Sequence, residues 1–269
     1  NKVLELAENQ SSLLSAAKFD QNYNSQYSYI AKVGYPMGMM YGFIYEGTYK
    51  YEDFDKVGDT YTLKRNVPYF SSESNTQPGM PKYADLNGDG IIDDNDRTMI
   101  GNGMPKHTGG FTNNFEYKGF DLSIFFQWSY GNDVLNANRL FFENSNKTRD
   151  LNQYASYADR WTPENPESNI PRATDSGSNK VFSTRIIEDG SFLRLKTVSL
   201  GYTLPKQLTK KWKIDNARVF VAGQNLWTCT GYSGYDPEVS IREGALTPGL
   251  DFSAYPRAYS ISFGINLGF

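Results

Sequence analysis

Twelve consecutive residues, 85–96 with the sequence DLNGDGIIDDND, place oxygen-bearing side chains at the spacing of a calcium-binding loop. Counting Asp85 as position 1, oxygen donors fall at positions 1, 3, 5, 9 and 12. A glycine falls at position 6, where such loops turn sharply, and position 7 contributes a backbone carbonyl. The predicted ligands are Asp85, Asn87, Asp89, Ile91, Asp93 and Asp96.

This loop is expected to hold a structural Ca²⁺ ion, or Mg²⁺ in its absence. Ca²⁺ takes roughly six to eight oxygen ligands, and alternate-residue spacing lets a curling loop aim them inward. Segments rich in proline and glycine, at 78–81 and 101–105, flank the loop. An EF-hand has helices at these two places. The alternative is an Asx-rich glycine turn that holds no ion. Ile92, at position 8, is expected to anchor the loop in a small core.

Catalytic chemistry finds little support in the rest of the sequence. With a single histidine, His107, and a single cysteine, Cys229, the chain has neither a multi-histidine metal site nor an intrachain disulfide. Asp236 and Glu238 flank Pro237, and the plainer interpretation of this carboxylate pair is a turn with solvated charges. We therefore predict no catalytic residues, and the chain is not predicted to be an enzyme.

Candidate binding residues are a weaker signal. Aromatic rings in or beside the long connections could stack on sugars, and girdle or loop packing explains the same residues: Trp161, Trp227, Tyr232 and Tyr235. Three cations could meet a partner protein or lipopolysaccharide phosphates, and an ordinary solvated face explains them more simply: Arg194, Lys196 and Arg242.

The C-terminal residues predict the kind of element that frames these sites. From Tyr259 to Phe269, large apolar residues alternate without a break with small or polar ones. A strand points successive side chains to opposite faces, so this segment has one apolar face and one small, polar face. The apolar face runs for about eleven residues, roughly the length that a tilted strand needs to cross a bilayer. The segment therefore predicts a strand of an outer-membrane β-barrel.

Other segments repeat this alternation. Four further strands are predicted at 111–117, 120–130, 191–204 and 217–227, and a sixth at 1–8. In the segment 191–204, Lys196 and Arg194 are expected to continue the apolar face of Val198 to Leu204, like a strand leaving the membrane into water. Phe125 interrupts the polar face of its segment, and Phe220 is out of place in its own.

Long and short connections alternate between these strands. Lys118 and Gly119 form a tight hairpin turn and 205–216 a medium connection, whereas 10–109, 131–185 and 228–256 are long. Outer-membrane barrels have short periplasmic turns and long extracellular loops. With the C terminus in the periplasm, every long connection becomes extracellular and both short ones periplasmic. The pattern predicts an all-β, multi-pass protein of the outer membrane.

Size and composition limit the alternatives. The 269 residues carry a net charge of −3, which gives no basic surplus for nucleic acid, and aromatic residues make up 15 %. The sequence contains no run of about eighteen apolar residues, so no transmembrane helix is predicted. Five or six strands cannot close a barrel, since the smallest has about eight. A chain that starts at Asn1 is therefore expected to be a processed or partial piece of a larger barrel.

Taken together, these residues resemble the C-terminal third of SusC/RagA-type TonB-dependent transporters. The resemblance covers nearly the whole chain and rests on motifs in a fixed order. They are VGYPMGMMYG at 33–42, PGMPKYADLNGDGIIDDNDR at 78–97, YKGFDLS at 117–123, SFLRLK at 191–196, GQNL at 223–226 and YDPE at 235–238.

The resemblance implies an antiparallel transmembrane barrel of about 22 strands, of which residues 1–269 are the C-terminal part, without the plug and the N-terminal strands. It implies the import of oligosaccharides or peptides by Bacteroidota. The implied partners are the rest of the barrel and its plug, TonB acting through the missing N-terminal part, a SusD-like surface lipoprotein, and outer-membrane lipid.

A protein of a different class remains open at this point. A self-folding, calcium-dependent carbohydrate-binding β-domain would fit the acidic loop and the abundant aromatic residues. It does not fit the strand length or the alternation of long and short connections. A chain that folds and stays monodisperse without detergent would contradict the barrel interpretation.

Overall fold

The computed structural model describes residues 1–21, 23, 25–143, 152–174, 181–241 and 244–269. They divide into two compact units, each described by itself. The loop unit consists of Asn1–Met104, Asp133–Glu188 and Val239–Ala254, and the sheet unit of Pro105–Asn132, Asp189–Glu238 and Tyr255–Phe269. Across the described residues, no helix is both long enough and apolar enough to cross a membrane.

The chain is mostly β-strand, as predicted, with short helical turns. Strands β1 to β18 are, in chain order, Ser12–Ala16, Tyr27–Lys32, Met39–Gly42, Tyr45–Thr48, Phe54–Val57, Thr60–Leu63, Tyr69–Phe70, Pro81–Tyr83, Ile91–Ile92, Thr98–Asn102, His107–Tyr117, Phe120–Tyr130, Asp133–Asn136, Ile187–Asp189, Phe192–Thr203, Asn216–Thr230, Leu250–Asp251 and Ser260–Gly268. The α-helices are α1 (Asn138–Phe142) and α2 (Lys206–Thr209). The 3₁₀ turns are Tyr51–Asp53, Glu73–Asn75, Asp94–Asp96, Ala155–Asp159, Thr184–Ile186 and Lys210–Trp212.

The loop unit is built from several small sheets. Its largest has the strand order β1-β2-β3-β10, and a second has the order β14-β13-β17. Three two-stranded pairs, β4-β8, β5-β6 and β7-β9, complete it. Its main core gathers side chains that are distant in sequence, including Tyr29, Met40, Leu135, Phe182 and Leu250, all of them fully buried. Burial of such apolar surface, rather than long ladders, holds these short strands together.

The prediction of a strand at residues 1–8 is wrong. That segment forms no strand. Val3 N donates to the Tyr35 carbonyl at 2.8 Å, Gly34 N donates to the Val3 carbonyl at 2.9 Å, and Gln10 N donates to the Ala7 carbonyl at 2.9 Å. Val3 and Leu4 are consecutive apolar residues, which a strand must point to opposite faces. Leu4 is exposed, so the segment never had the clean alternation of the other strands.

The sheet unit is one antiparallel sheet with the strand order β11-β12-β15-β16-β18. Strands β12, β15, β16 and β18 correspond to the predicted segments 120–130, 191–204, 217–227 and 259–269. Strand β11 extends the predicted 111–117 segment back to His107. The register aligns apolar residues into continuous rows across all five strands. One row is Phe115, Leu122, Leu200, Val221 and Phe263, and the next is Tyr117, Phe120, Tyr202, Val219 and Ile265. We call the surface that these rows form the apolar face.

The opposite surface, the polar face, is lined by small and polar residues. One row is Asn114, Ser123, Ser199, Ala222 and Ser262, and the next is Glu116, Asp121, Gly201, Phe220 and Gly264. Phe220, which looked out of place in the sequence, pairs directly with Gly264 and covers it. Asp121 and Arg218 pair above Gly201, with Arg218 Nε 2.9 Å from Asp121 Oδ1. The glycines of this face make room for larger neighbours on adjacent strands.

The connections leave the sheet as the sequence predicted. The hairpin at Lys118–Gly119 and the connection from β15 to β16 both lie at one end of the sheet, which we call the short-connection end. The register places the start of β11, the end of β12, the start of β15, the end of β16 and the start of β18 at the opposite end. The two long connections between strands of this sheet, β12 to β15 and β16 to β18, therefore start and finish at that second end, the long-connection end.

We predict that Gly264→Val destabilises the protein by roughly 1–3 kcal/mol, because overpacking a filled site forces its neighbours to shift. A Cβ atom at Gly264 would lie 2.3 Å from Cζ of Phe220. The measurement is the midpoint of urea unfolding. Gly268→Val is the matched control on the same strand, since its nearest neighbour is 3.7 Å away. Adding Phe220→Ala should recover part of the loss, and equal costs at the two glycines would contradict the packing argument.

Candidate functional site

A β-bulge at Lys196 decides which face Arg194 occupies. Thr197 pairs with Phe125, but Leu195 pairs with Phe126, so Lys196 is an extra residue with no partner on β12. A one-residue shift moves every following side chain to the other face of the sheet. Leu195 therefore joins the apolar face, and Arg194 lies between Gln127 and Thr228 on the polar face. The prediction that Arg194 continues the apolar face was wrong.

Arg194 is the centre of an ion-pair network that we call the Arg194 cluster: Arg194, Lys196, Asp236, Glu238 and Arg257. Its side chain is 3 % exposed. Nη2 contacts Asp236 Oδ1 at 2.6 Å, Nη1 contacts Glu238 Oε2 at 3.1 Å, and Nε donates to Thr228 Oγ1 at 3.0 Å. Each nitrogen of the guanidinium thus has a partner, as a buried charge requires.

The two outer cations of this cluster close around the same carboxylates. Arg257 Nη1 lies 2.9 Å from Glu238 Oε2, and Lys196 Nζ lies 3.8 Å from the same oxygen. The Asp236 carboxylate also accepts the backbone N–H of Glu238 at 2.9 Å, which fixes the turn at Pro237. Interpreting Asp236 and Glu238 as a turn with solvated charges was therefore wrong, since Asp236 is 8 % exposed.

The cluster is suited to holding the chain rather than to catalysis. Both carboxylates are bound by cations, so neither is poised to exchange a proton with a substrate. The ion pairs and the Thr228 hydrogen bond of Arg194 fix the segment 235–238 to strands β15 and β16 on the polar face. Removing one partner of a buried pair leaves an uncompensated charge, so such a tether is sensitive to substitution of a single member.

The predicted calcium ligands lie together in one closed loop of the loop unit. Asp85 Oδ1 accepts the N–H of Gly88 at 2.7 Å, and its Oδ2 accepts that of Gly90 at 2.8 Å. Asp96, at the last ligand position, is buried and accepts the N–H of Leu86 at 2.8 Å. Gly88 and Gly90 have φ of +75° and +85°, a conformation that glycine adopts without strain and that lets the loop curl.

The loop is anchored as the sequence predicted. Ile92 is 1 % exposed and packs in a small core with Phe43 and Tyr83. Burial raises the pKa of the Tyr83 hydroxyl far above its usual range, so this group stays neutral. Strand β9, which carries Ile91 and Ile92, pairs in parallel with β7. The exposed carboxylates of Asp89 and Asp93 are thereby held at the surface by one apolar side chain and a two-residue ladder.

The metal prediction itself stays a prediction. Among the described residues, no three acidic, histidine or cysteine side chains form a group with metal-binding geometry. The donor set nevertheless consists only of oxygens, the type that Ca²⁺ prefers. Asn87, Asp89 and Asp93 are exposed, and the Asp89 and Asp93 carboxylates, which each accept two N–H donors, keep further lone pairs. The loop is thus chemically compatible with a hard cation.

The four aromatic candidates for substrate contact do not converge. Trp161, in the loop unit, is buried against Gly79 beneath the guanidinium of Arg172, and Tyr232, in the sheet unit, is buried over Gly234. Trp227 pairs with Leu195 on the apolar face. Tyr235 alone of the four is largely exposed without lying in a strand. The cation candidate Arg242 lies outside the described residues.

The sequence did not reveal that Thr228 and Gln127 contact members of the Arg194 cluster on the polar face, or that Arg257 belongs to this cluster. Their partners lie 34, 111 and 19 residues away in the chain, so no local pattern reveals the contacts. One signal was visible, however. The apolar residues fall at 193 and 195 and then at 198, 200, 202 and 204, and the interval of three marks the bulge.

Comparison with known proteins identifies the family. No family model matches the chain. TonB-dependent receptor P3 of Formosa agariphila is 32 % identical over 276 residues, which cover 100 % of this chain and 26 % of the relative. TonB-dependent receptor SusC of Bacteroides thetaiotaomicron is 28 % identical over 198 residues, covering 73 % of this chain and 18 % of SusC. The chain is a relative of the TonB-dependent receptors. It spans about a quarter of the length of the first of these two.

The fold agrees with this assignment to the TonB-dependent receptors. The structure of the RagAB peptide transporter matches with a TM-score of 0.73 at 24 % identity, covering 100 % of this chain and 26 % of that one. A closed-closed state of the RagAB peptide importer matches with a TM-score of 0.71 at 25 % identity. The resemblance to the SusC/RagA type and the β-barrel fold class are confirmed. These relatives are receptors and transporters rather than enzymes.

We predict that Arg194→Gln destabilises the receptor by about 3–5 kcal/mol, because it leaves the buried Asp236 carboxylate and the partly buried Glu238 carboxylate without their central cation. The readouts are the urea midpoint and the rate of protease cleavage within 231–238, which should rise. Arg257→Gln is the matched control in the same network. Its side chain is 43 % exposed, so the change should cost less than about 1 kcal/mol. Equal effects at the two arginines would contradict the central role of Arg194.

Proposed function

We propose that this chain forms part of an outer-membrane importer that takes up oligosaccharides or peptides, driven by TonB and working with a SusD-like surface lipoprotein. The observation that carries the proposal is the similarity to TonB-dependent receptors along the whole chain, at 32 % identity to one of them. The two-faced sheet supplies the physical reason. A surface of aligned apolar rows opposite a polar one suits a wall between lipid and an aqueous lumen.

The dimensions of the sheet support a membrane-spanning role. Strand β12 has 11 residues and β15 has 12. At about 3.3 Å per residue and a tilt of about 40°, β12 reaches roughly 27 Å along the membrane normal. The apolar band of such barrels is about 25 Å tall. We propose that the apolar face contacts lipid and that the polar face lines the lumen.

The order of the connections supports an orientation. In this proposal the short-connection end and the C terminus are periplasmic, and the long-connection end is extracellular. Residues 1–269 are then the C-terminal part of the barrel domain. Edge strands β11 and β18 each pair on one side among the described residues, leaving their other edges for neighbouring strands of the same barrel.

The Arg194 cluster then fixes a lumenal segment near the extracellular mouth. It lies on the polar face at the long-connection end of β15 and β16. Tyr235, next to the tethered Asp236, is exposed and is the best placed of the aromatic candidates to contact a substrate. Rigid placement of loop residues by buried pairs is what a binding surface at the mouth needs.

The import proposal predicts that deleting the full-length receptor abolishes uptake of one substrate class, and that deleting TonB has the same effect. Growth is measured on oligosaccharides and on peptides as separate nutrient sources. Uptake of both classes unchanged after receptor deletion would contradict the proposal.

Substitutions at two adjacent residues test, in the same strain, which face of the sheet contacts lipid. Ile124→Arg puts a charge on the apolar face, which costs about 2–4 kcal/mol near the bilayer midplane, and should reduce both the folded receptor in the outer membrane and uptake. Ser123→Arg, on the polar face, should leave the folded receptor in the membrane. The folded fraction is read from the gel shift of unheated samples.

We also propose that the loop 85–96 binds a structural Ca²⁺, with Mg²⁺ as a weaker substitute. The ligands are the oxygens of Asp85, Asn87, Asp89, Asp93 and Asp96 and the carbonyl of Ile91. Its spacing and its exposed carboxylates support this, and the ion would screen the repulsion between acidic side chains packed into one loop. Its role would be to stiffen an extracellular connection rather than to take part in transport chemistry.

The calcium proposal predicts that the purified receptor retains Ca²⁺ and that removing it with a chelator lowers the melting temperature. Asp85→Asn combined with Asp89→Asn should weaken Ca²⁺ binding at least about tenfold by calorimetry, because both lose charge at ligand positions. Asp94→Asn, in the same loop but at a position without a ligand role, is the control. Equal losses in the two variants, or no effect of chelation, would contradict the proposal.

A further inference from the structure

The connection Pro205–Asp215, which we call the lysine turn, carries an unusual combination of exposed side chains. It joins β15 to β16 through α2 and the 3₁₀ turn Lys210–Trp212. Its conformation is fixed on the inside: Thr209 is buried, and Ile214 N donates to the Thr209 carbonyl at 3.3 Å. The Leu204 N–H donates to the Ala217 carbonyl at 2.9 Å, which closes the base of the turn.

Two large apolar side chains of the lysine turn point away from the protein. Leu208 is 52 % exposed and Trp212 is 68 % exposed. They are four residues apart in a continuous helical stretch, which places them on the same side of it. Thr209, a small polar residue, takes the inner position instead. A turn in water would gain by the reverse arrangement, with the large apolar residues inside.

Four lysines flank this apolar pair in the sequence of the lysine turn. Lys206, Lys210, Lys211 and Lys213 are all exposed. Within the part of the chain that the structure describes, none of the four has a carboxylate within ion-pair distance, in contrast to the cations of the Arg194 cluster. Lys118 lies in the other turn of the same sheet end, with its Nζ 5.1 Å from the centre of the Tyr117 ring.

The lysine turn adjoins the edge of the apolar face. The last row of that face at the short-connection end contains Tyr117, Phe120 and Tyr202, and β15 ends one residue later. Aromatic residues at the edge of an apolar band mark the level of the lipid headgroups. The turn therefore begins where a membrane-facing surface ends.

We propose that the lysine turn binds the headgroups of anionic phospholipids in the periplasmic leaflet, with Trp212 and Leu208 inserted at the boundary between headgroups and acyl chains. This rests on the proposed function, from which it takes the membrane and its orientation. Amphipathic segments with cations on one side and Trp or Leu on the other bind such interfaces in this way. The combination favours a lipid over a soluble phosphate, which offers the apolar pair no partner.

The test measures which lipids accompany the full-length receptor. The receptor is reconstituted in vesicles of equal parts phosphatidylcholine and phosphatidylglycerol, extracted with its lipid shell by a membrane-solubilising polymer, and its lipids are quantified by mass spectrometry. We expect phosphatidylglycerol to exceed its bulk fraction at least about twofold. The triple variant Lys206→Gln, Lys210→Gln, Lys211→Gln should bring the ratio back towards the bulk value.

A matched variant removes three exposed lysines of the loop unit: Lys2→Gln, Lys32→Gln, Lys56→Gln. It should keep the enrichment. An unenriched wild type, or equal losses in both triple variants, would overturn the proposal. Trp212→Ala should reduce quenching of tryptophan fluorescence by phospholipids brominated near the headgroup, and unchanged quenching would overturn the insertion of Trp212.

The outcome is separable from the import proposal. Folded receptor that inserts into vesicles and supports uptake in cells, but shows no phosphatidylglycerol enrichment, would refute the lipid site alone. Receptor that fails to insert would refute the membrane wall on which the site depends.

Discussion

The alternation of side chains along a strand, kept in register across five strands, is the constraint on which this structure depends. Because the period is two, one phase assigns the large apolar residues to one face and the small or polar residues to the other, with Phe125 and Phe220 as exceptions on the polar face. In the rows through Leu122 and Phe120 this holds over the full width of the sheet. A surface of that extent, if left in water, would be an aggregation site, which supports the proposal that the apolar face contacts lipid.

The bulge at Lys196 and the Arg194 cluster are two parts of one arrangement. Without the extra residue, Arg194 would lie on the apolar face, where a charge costs about 2–4 kcal/mol in the middle of a bilayer and less towards its edge. With it, the same side chain meets two carboxylates that hold a distant loop segment. The bulge thus moves Arg194 from an unfavourable position to one where it forms an ion pair with Asp236, 42 residues away in the chain.

What the sequence revealed follows from the range of the interactions involved. The strands and the ends at which they connect were predictable, because alternation and connection length are local properties. The burial of Ile92 was predictable too, since the loop motif fixes its position relative to the acidic residues. The core of the loop unit was not, because Tyr29, Met40, Phe182 and Leu250 meet through contacts that no short pattern encodes. The strand predicted at 1–8 does not form, and its adjacent apolar residues Val3 and Leu4 would point to opposite faces of a strand.

Charged side chains differ in burial and in pairing between the two ends of the sheet. At the long-connection end, Arg194 is buried and matched with two carboxylates, so its ion pairs order a loop segment of the same chain. At the short-connection end, the Asp121–Arg218 pair satisfies the polar face, while the lysines of the turn keep their charges exposed. Paired charges contribute to rigidity, and unpaired ones remain available to the surroundings. The difference fits the proposed membrane wall, in which the extracellular loops hold a defined shape and the periplasmic turn binds lipid headgroups.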